Sequence, residues 1–142
     1  LRPKAWLDFL NIFINRQIEN REKLILGLVS NDIAKQKENL QSWCEIQKSA
    51  PVKKASFINQ ILAALSFSPS KVAPDTQVML LASQGDRLCS YKCSVQLSKL
   101  WSVPIELHPS AGHDLPIDDP NWLIERIKAF IYSPGSSHSK SS

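Results

Sequence analysis

Apolar residues in the first half of the chain recur every three or four positions, the spacing that places side chains on one face of an α-helix. Each such stretch needs a partner surface, because an amphipathic helix of this length is marginal alone in water. The pattern therefore predicts a packed, all-helical first half. The predicted helices cover Ala5–Ile18, residues 21–29, Leu40–Ile46 ahead of Pro51, and a segment that begins with Ser56 as its N-cap.

The pattern changes after a linker over Ser68–Pro74. Val78–Ala82 is a short uninterrupted apolar run bounded by turn residues, which is typical of a strand buried on both faces. Tyr91–Trp101 returns to helical spacing, and Pro104–His108 is a second short strand. A last helix is predicted after Asp118-Asp119-Pro120, with an aspartate as N-cap and proline at the first helical position. Its side chains expected to point inward are Trp122, Leu123, Ile127, Phe130 and Ile131.

The order strand, helix, strand, helix favours two parallel strands joined by a helical crossover, so the predicted fold class is α/β. The chain divides into a helical segment over residues 1–70, an α/β unit over 71–133 and a tail over 134–142. The tail is expected to be disordered, because it has no apolar residue to bury.

Composition narrows the class of protein. Hydrophobic residues make up 43% and charged residues 21%, as in ordinary globular domains. No run reaches the roughly 20 apolar residues that a membrane span needs. Residues 1–70 carry ten Lys and Arg against six Asp and Glu, but without a dense cluster, so a nucleic-acid partner is not expected. Three cysteines without a visible secretion signal favour reduced thiols and a cytoplasmic location.

Two residues carry the candidate chemistry. Asp86 follows the first predicted strand in Gly-Asp-Arg-Leu, and His113 follows the second in Ala-Gly-His-Asp. Parallel strands bring both loops to one end of the sheet, where open α/β sheets place their sites. A carboxylate that accepts a hydrogen bond from one imidazole nitrogen leaves the other nitrogen free to act as a general base. Gly112 is expected to permit the close turn that aims the ring.

On these residues, segment 77–131 resembles the last two strands and last two helices of the α/β-hydrolase fold. The resemblance implies that Asp86 is the acid and His113 the base of a catalytic triad, since the family's chain order is nucleophile, acid, histidine. It also implies that residues 1–70 form the helical cap that many members insert before the acid-bearing strand. The implied substrate is a small ester or related acyl compound, and no cofactor or metal is implied.

The nucleophile of such a triad is missing. The family's serine lies in a Gly-x-Ser-x-Gly turn, which neither Ser30 nor Ser83 matches. The sequence is therefore interpreted as the C-terminal part of a serine hydrolase whose N-terminal part, with the oxyanion hole, is absent. The chain alone is expected to be inactive. Because two strands cannot bury their apolar faces, the missing half or a second copy of the chain is expected to bind.

Three alternatives stay open. Asp114, next to the histidine, is a rival acid, although it is too close in sequence to reach the ring from a separate strand, so Asp86 is preferred. Cys89, Cys93, His108 and His113 approach zinc-finger spacing, but Pro109 and Gly112 prevent the continuous helix that such histidines require. In a third interpretation Asp86 only caps the helix near Tyr91.

A different class of function is also compatible with the sequence. The chain can be a noncatalytic α/β module that binds a partner or itself through the sheet edge and the helix Ala5–Ile18.

Overall fold

The computed structural model describes residues 3–132, which form seven helices and two strands. Four helices come first, and the predicted strand–helix–strand–helix order follows them. The predicted tail over 134–142 lies outside the described residues. No helix within residues 3–132 is long and apolar enough to cross a membrane. The elements are α1 (Pro3–Ile14), α2 (Ile18–Val29), α3 (Ile33–Ser49), α4 (Lys54–Ser66), β1 (Leu80–Ser83), α5 (Tyr91–Trp101), β2 (Ile105–His108), α6 (Leu115–Asp118) and α7 (Pro120–Ile131).

The predicted single helix Ala5–Ile18 is wrong beyond Ile14, because α1 ends there and Ile18 begins α2. The break is made by Asn15, whose side-chain oxygen accepts a hydrogen bond of 3.2 Å from the backbone N–H of Gln17. Such a local side-chain bond offers the backbone an alternative to the helix. Apolar spacing continues across the break, so periodicity alone does not reveal it.

The starts of α3 and α4 also differ from the predictions. Asp32 caps α3 by accepting hydrogen bonds of 2.8 and 3.1 Å from the backbone of Ala34 and Lys35, so this helix begins well before the predicted Leu40–Ile46. It ends ahead of Pro51 as predicted. In α4 the Lys53 carbonyl already accepts the first helical bond, so Ser56 lies inside the helix and is not its N-cap.

The apolar core of the helical segment lies between α1 and α2. Ala5, Ile12 and Leu28 are buried at its centre. The rings of Phe9 and Phe57 meet edge to face at 6.0 Å, which brings α4 onto the same core. The partly buried residues packed around this centre are Phe9, Leu24, Ile25, Phe57 and Leu88.

The strands β1 and β2 are parallel, as predicted, with Leu80 opposite Ile105 and Ser83 opposite His108. The apolar run Val78–Ala82 marks β1, although the strand begins two residues later than that run and continues to Ser83. Helix α5 has the predicted limits, packs on both strands and is followed by Ser102, which caps it in the left-handed region with φ 54°. This crossover brings the loops after β1 and β2 to the same end of the pair.

Helix α7 begins as predicted, with Pro120 first and the Asp119 side chain accepting a hydrogen bond of 3.0 Å from the backbone of Trp122. The prediction that its apolar residues point inward is wrong for Ile127 and Ile131, which are 40% and 57% exposed. The two-stranded sheet is too narrow to cover them. The short helix α6 was not predicted, and Asp118 is its last residue and not an N-cap of α7.

Candidate functional site

The loop after β1 fixes the Asp86 carboxylate. The Ser83 hydroxyl donates to the Ala111 carbonyl and accepts from the Gly85 N–H, which ties this loop to the one after β2. Oδ1 of Asp86 accepts hydrogen bonds of 2.7 and 2.8 Å from the backbone N–H groups of Leu88 and Cys89. With one oxygen held by the loop and the residue 8% exposed, the other oxygen has a single orientation available.

That second oxygen, Oδ2, lies 2.8 Å from Nδ1 of His113. An ionised carboxylate only accepts, so Nδ1 carries the proton and donates it. The His113 side chain is 41% exposed, whereas that of Asp86 is 11% exposed. Within residues 3–132 no hydrogen bond is made by Nε2 of His113. The pair therefore combines a buried acid with an imidazole whose far nitrogen can accept a proton.

The expected geometry is confirmed in three respects: the Asp86–His113 contact, the parallel strands, and the position of both residues beyond the C-terminal ends of β1 and β2. Asp114 is not the partner, since its side chain forms no hydrogen bond among the described residues and its backbone N–H donates to Val29. The alternative role of Asp86 as a cap before Tyr91 coexists with this contact, because its two oxygens do different things. Oδ1 accepts from the backbone of the turn before Tyr91, and Oδ2 binds the histidine.

Electrostatics reinforce the pair. Burial raises the pKa of Asp86, but the hydrogen bond from His113, the backbone N–H groups of Cys89 and Leu88, and the nearby imidazole charge outweigh burial and lower the pKa below its usual value. The hydrogen bond to Asp86 raises the pKa of His113 against the opposing effect of burial, and the negative charges of Asp86 and Asp114 add to the rise. Both shifts favour the ionised pair.

Two glycines allow the loops to pack this closely. A Cβ on Gly85 would lie 2.4 Å from the Ser110 carbonyl oxygen, and a Cβ on Gly112 would lie 2.4 Å from that of Val29. Neither glycine has a positive φ, so each is required for space and not for backbone conformation. Gly112 was expected to permit the close turn that aims the His113 ring, and the structure adds that its missing side chain lets the turn between α2 and α3 lie against the His113 loop.

Asp118 organises that contact, and sequence reasoning missed its role. Its carboxylate accepts hydrogen bonds from the Ser30 hydroxyl, from the Asn31 N–H at 2.8 Å and from the Gly112 N–H at 2.5 Å. Burial raises the pKa of Asp118, and these bonds, that of Ser30 first, reverse the effect and lower the pKa. Ser30 is 0% exposed, so this hydroxyl serves the interface between helical segment and α/β unit.

Arg87 and Asn31 complete the same interface. The Arg87 guanidinium donates to the carbonyl oxygens of Gly27 and, at 2.6 Å, Ser30 at the end of α2. A cation is favourable there because the helix dipole places negative charge at that end. The Asn31 amide donates at 2.9 Å to the carbonyls of Gly85 and Ser110. The helical segment is therefore anchored next to the Asp86–His113 pair by backbone carbonyls.

A second histidine–aspartate pair lies at the end of β2 and was also missed. Nδ1 of His108 accepts from the backbone N–H groups of Ser110 at 3.1 Å and Ala111 at 2.8 Å, so its proton is on Nε2, 3.2 Å from Asp119. The ring is buried edge to face against Trp122 at 5.0 Å. Both nitrogens are thus engaged, which excludes His108 from the zinc-finger set considered above.

Two residues of the zinc-finger set considered above, Cys89 and His113, lie close together and are joined by Asp86. One donor atom each of Asp86, Cys89 and His113 lies within 4.8 Å of the others. The zinc-finger alternative was set against the interpretation that Cys89 and Cys93 both lie along the helix after Asp86. This is wrong for Cys89, which lies two residues before α5, whereas Cys93 is exposed on that helix.

The hydrolase interpretation predicts that the free nitrogen of His113 faces an open cleft beneath the helical cap, whereas two cavities of the structure lie elsewhere. One cavity of about 740 Å³ lies between α1, α2 and Arg87, and one of about 310 Å³ lies within the helical segment. Neither is lined by Asp86 or His113. The second, more apolar cavity reaches Leu88, two residues from the acid. The His113 side chain is 41% exposed.

Comparison with known proteins adds no assignment: no protein-family model, no curated protein and no solved structure matches this chain significantly. The fold and the site together define a mixed α/β protein with a parallel strand pair and an aspartate–histidine pair at its C-terminal end.

Proposed function

We propose that Asp86 and His113 are the acid and general base of a serine hydrolase with α/β-hydrolase architecture, acting on an ester or related acyl substrate. The observation that carries the proposal is the 2.8 Å bond from a buried carboxylate to one nitrogen of an imidazole whose other nitrogen is open. Perturbed pKa values of two coupled groups at the end of a parallel sheet support it. The proposal requires a nucleophilic serine and an oxyanion hole from elsewhere, because no serine of the 142 residues lies in a Gly-x-Ser-x-Gly turn.

In this proposal each residue has a defined role. Nε2 of His113 takes the proton of the serine hydroxyl as its oxygen bonds to the acyl carbon, and the protonated ring then gives that proton to the leaving oxygen. Asp86 fixes the tautomer with the proton on Nδ1 and stabilises the imidazolium. Water repeats the sequence to release the acid. The raised pKa of His113 suits a base that becomes positively charged during the reaction.

The helical segment acts as the cap of the proposed enzyme. Its apolar cavity of about 310 Å³ is lined by residues such as Phe9, Phe57 and Leu88, and Leu88 belongs to the same loop as Asp86. An apolar acyl chain is the substrate group that such a lining favours. A cytoplasmic location is proposed with it, since Cys44, Cys89 and Cys93 are all free thiols.

The test begins with the complete reading frame that contains these residues. We expect it to encode a Gly-x-Ser-x-Gly serine upstream of Leu1, to hydrolyse short-chain nitrophenyl esters, and to be labelled by a serine-directed phosphonate. His113→Asn should remove turnover, while His108→Asn, at the second pair, should leave measurable turnover in the folded fraction. The 142-residue chain alone should show neither turnover nor labelling. Full turnover with His113→Asn, or labelling of a serine in the isolated chain, would overturn the proposal.

A second candidate function is favoured by one observation. Along α1 the side chains of Leu7, Leu10 and Ile14 are 66%, 57% and 64% exposed, a line of apolar surface that a noncatalytic module would bury against a partner or a second copy. Sedimentation of the reduced chain distinguishes the outcomes. Self-association that Leu10→Glu removes, together with the lack of any serine nucleophile in the complete reading frame, would favour this candidate over the enzyme.

A further inference from the structure

The thiol of Cys89 has no part in the proposed hydrolase, yet it converges on the same point as Asp86 and His113. One donor atom of each residue lies within 4.8 Å of the other two. The acid and the imidazole are already 2.8 Å apart, and the Cys89 backbone is bound to the same carboxylate through its N–H at 2.8 Å. We propose that Asp86, Cys89 and His113 form a site for a zinc-type divalent cation, with water completing a tetrahedral set.

The donor chemistry supports a zinc-type ion. A thiolate, an imidazole nitrogen and a carboxylate oxygen are the three ligand types that Zn²⁺ takes in proteins, whereas calcium and magnesium require oxygen ligands. Three protein ligands with an open fourth position are typical of a site that keeps a water. The cation would form bonds to the Cys89 sulfur, Nδ1 of His113 and the Asp86 oxygen. The thiol proton would leave to solvent, and the imidazole would change tautomer so that its proton lies on Nε2 and not on Nδ1.

The distances require only small shifts. Metal–ligand bonds of about 2.0–2.3 Å place tetrahedral ligands roughly 3.3–3.6 Å apart. The acid and imidazole must therefore separate by about 0.5–0.8 Å, and the most distant pair in the group must close by at most about 1.5 Å, changes that side-chain rotation supplies.

The surroundings fit a site that a free ion can reach. His113 is exposed on one side and gives access from solvent, while Asp86 is buried on the other. Oδ1 of Asp86 is held by the N–H groups of Leu88 and Cys89, so Oδ2 is left for the ion, and such support of a ligand strengthens metal binding. The other histidine and the other nearby cysteine fall outside the group, since His108 is engaged at both nitrogens and Cys93 lies on the exposed side of α5.

A bound zinc ion would block the proposed hydrolase chemistry, although the zinc site itself does not depend on that proposal. The ion would replace the hydrogen bond between Asp86 and His113, so the imidazole could not serve as a base while metal is bound. A loaded chain would then be inactive as part of a hydrolase, and removal of the ion would restore the pair. Zinc binding can be measured whether or not a serine nucleophile exists.

The test uses the untagged, reduced full chain titrated with Co²⁺ and then Zn²⁺ under anaerobic conditions. We expect one Co²⁺ per chain with a thiolate-to-cobalt charge-transfer band, displaced by one Zn²⁺. X-ray absorption at the zinc edge should show one sulfur at about 2.3 Å and nitrogen or oxygen ligands at about 2.0 Å. Cys89→Ser should abolish the band. His113→Gln should weaken binding by more than about 10-fold, the least loss expected even for a residue that only supports a ligand.

Cys93→Ser and Asp114→Asn are matched controls, because each lies beside a proposed ligand without belonging to the group. Both should bind Co²⁺ as the unmodified chain does, and circular dichroism should show every variant folded. Equal loss of the band in Cys93→Ser, or zinc coordination without sulfur, would overturn the proposal. Stoichiometric binding that survives Cys89→Ser would do the same, since it would locate the metal elsewhere.

Discussion

The two histidine–aspartate pairs share their chemistry and differ in what they leave free. His108 is buried, its Nδ1 accepts hydrogen bonds from two backbone N–H groups, and its Nε2 contacts the partly exposed Asp119. His113 is exposed, and a buried aspartate holds its Nδ1 while Nε2 has no hydrogen bond within residues 3–132. The first arrangement uses every polar atom of the ring to hold a loop. The second uses one nitrogen for positioning and leaves the other for chemistry.

The largest expected difference between the pairs is in stability. His108→Ala leaves the N–H groups of Ser110 and Ala111 without an acceptor and opens a cavity beside Trp122, so it should lower the free energy of unfolding by about 2–4 kcal/mol. His113→Ala removes one half-exposed contact and should cost less than about 1 kcal/mol. Urea denaturation followed by tryptophan fluorescence measures both. Equal costs would contradict the assignment of His108 to structure.

Gly112 links the His113 loop to the helical segment. A methyl group there should therefore disturb the Asp86–His113 pair and leave the second pair, at His108, unchanged. Gly112→Ala places Cβ 2.4 Å from the Val29 oxygen and should destabilise the fold by about 1–3 kcal/mol. Gly27→Ala is the matched control, because nothing lies within 4 Å of its Cβ and alanine favours the helix by about 0.5–1 kcal/mol. A neutral Gly112→Ala would show that the interface is looser than described.

Titration separates the pairs without unfolding either. Asp86→Asn removes the first cause of the raised pKa of His113, so the midpoint should fall toward or below 6.5. Asp114→Asn should lower it less, because its charge is the smallest of the contributions. Asp119→Asn should leave His113 unchanged. Proton–nitrogen correlation spectra of the imidazoles, assigned with His113→Asn, record all three, and a midpoint insensitive to Asp86→Asn would remove the basis of the proposed acid–base pair.

The smallest expected effect is the pH dependence of stability. The lowered pKa of Asp86 gives a contribution to the free energy of unfolding that is fully present above pH 3.8 and is lost as the pH falls through the lowered pKa. The raised pKa of His113 gives a second contribution to this free energy, which is fully present below pH 6.5 and is lost as the pH rises through the raised pKa. The coupling should therefore be greatest between about pH 4 and 6.5, and below about 1 kcal/mol because the imidazole is 41% exposed.

A double-mutant cycle of Asp86→Asn and His113→Asn across this pH range isolates that coupling from the turn that Oδ1 of Asp86 also stabilises. A coupling energy that rises steadily from pH 6 to pH 9 would have the wrong sign for this pair.

The sequence by itself determined the α/β unit and its candidate pair. Short apolar runs between turn residues marked both strands, and a helical crossover between them made parallel pairing the expected arrangement. Asp86 and His113 each follow a strand closely, so parallel pairing was sufficient to bring their loops together. These features depend on local patterns and on one topological rule, and they need no knowledge of what packs elsewhere.

Only the tertiary structure decided how the helical segment meets that unit. Asp118 binds Ser30 and Asn31 across 88 and 87 positions of sequence, and Arg87 reaches the end of α2 across 57. Gly112 must lack a side chain because the backbone of Val29 packs against it. Cys89 comes close to Asp86 and His113 only because the loops after β1 and β2 fold together. No local spacing encodes such contacts, because they exist only once separate segments have packed together.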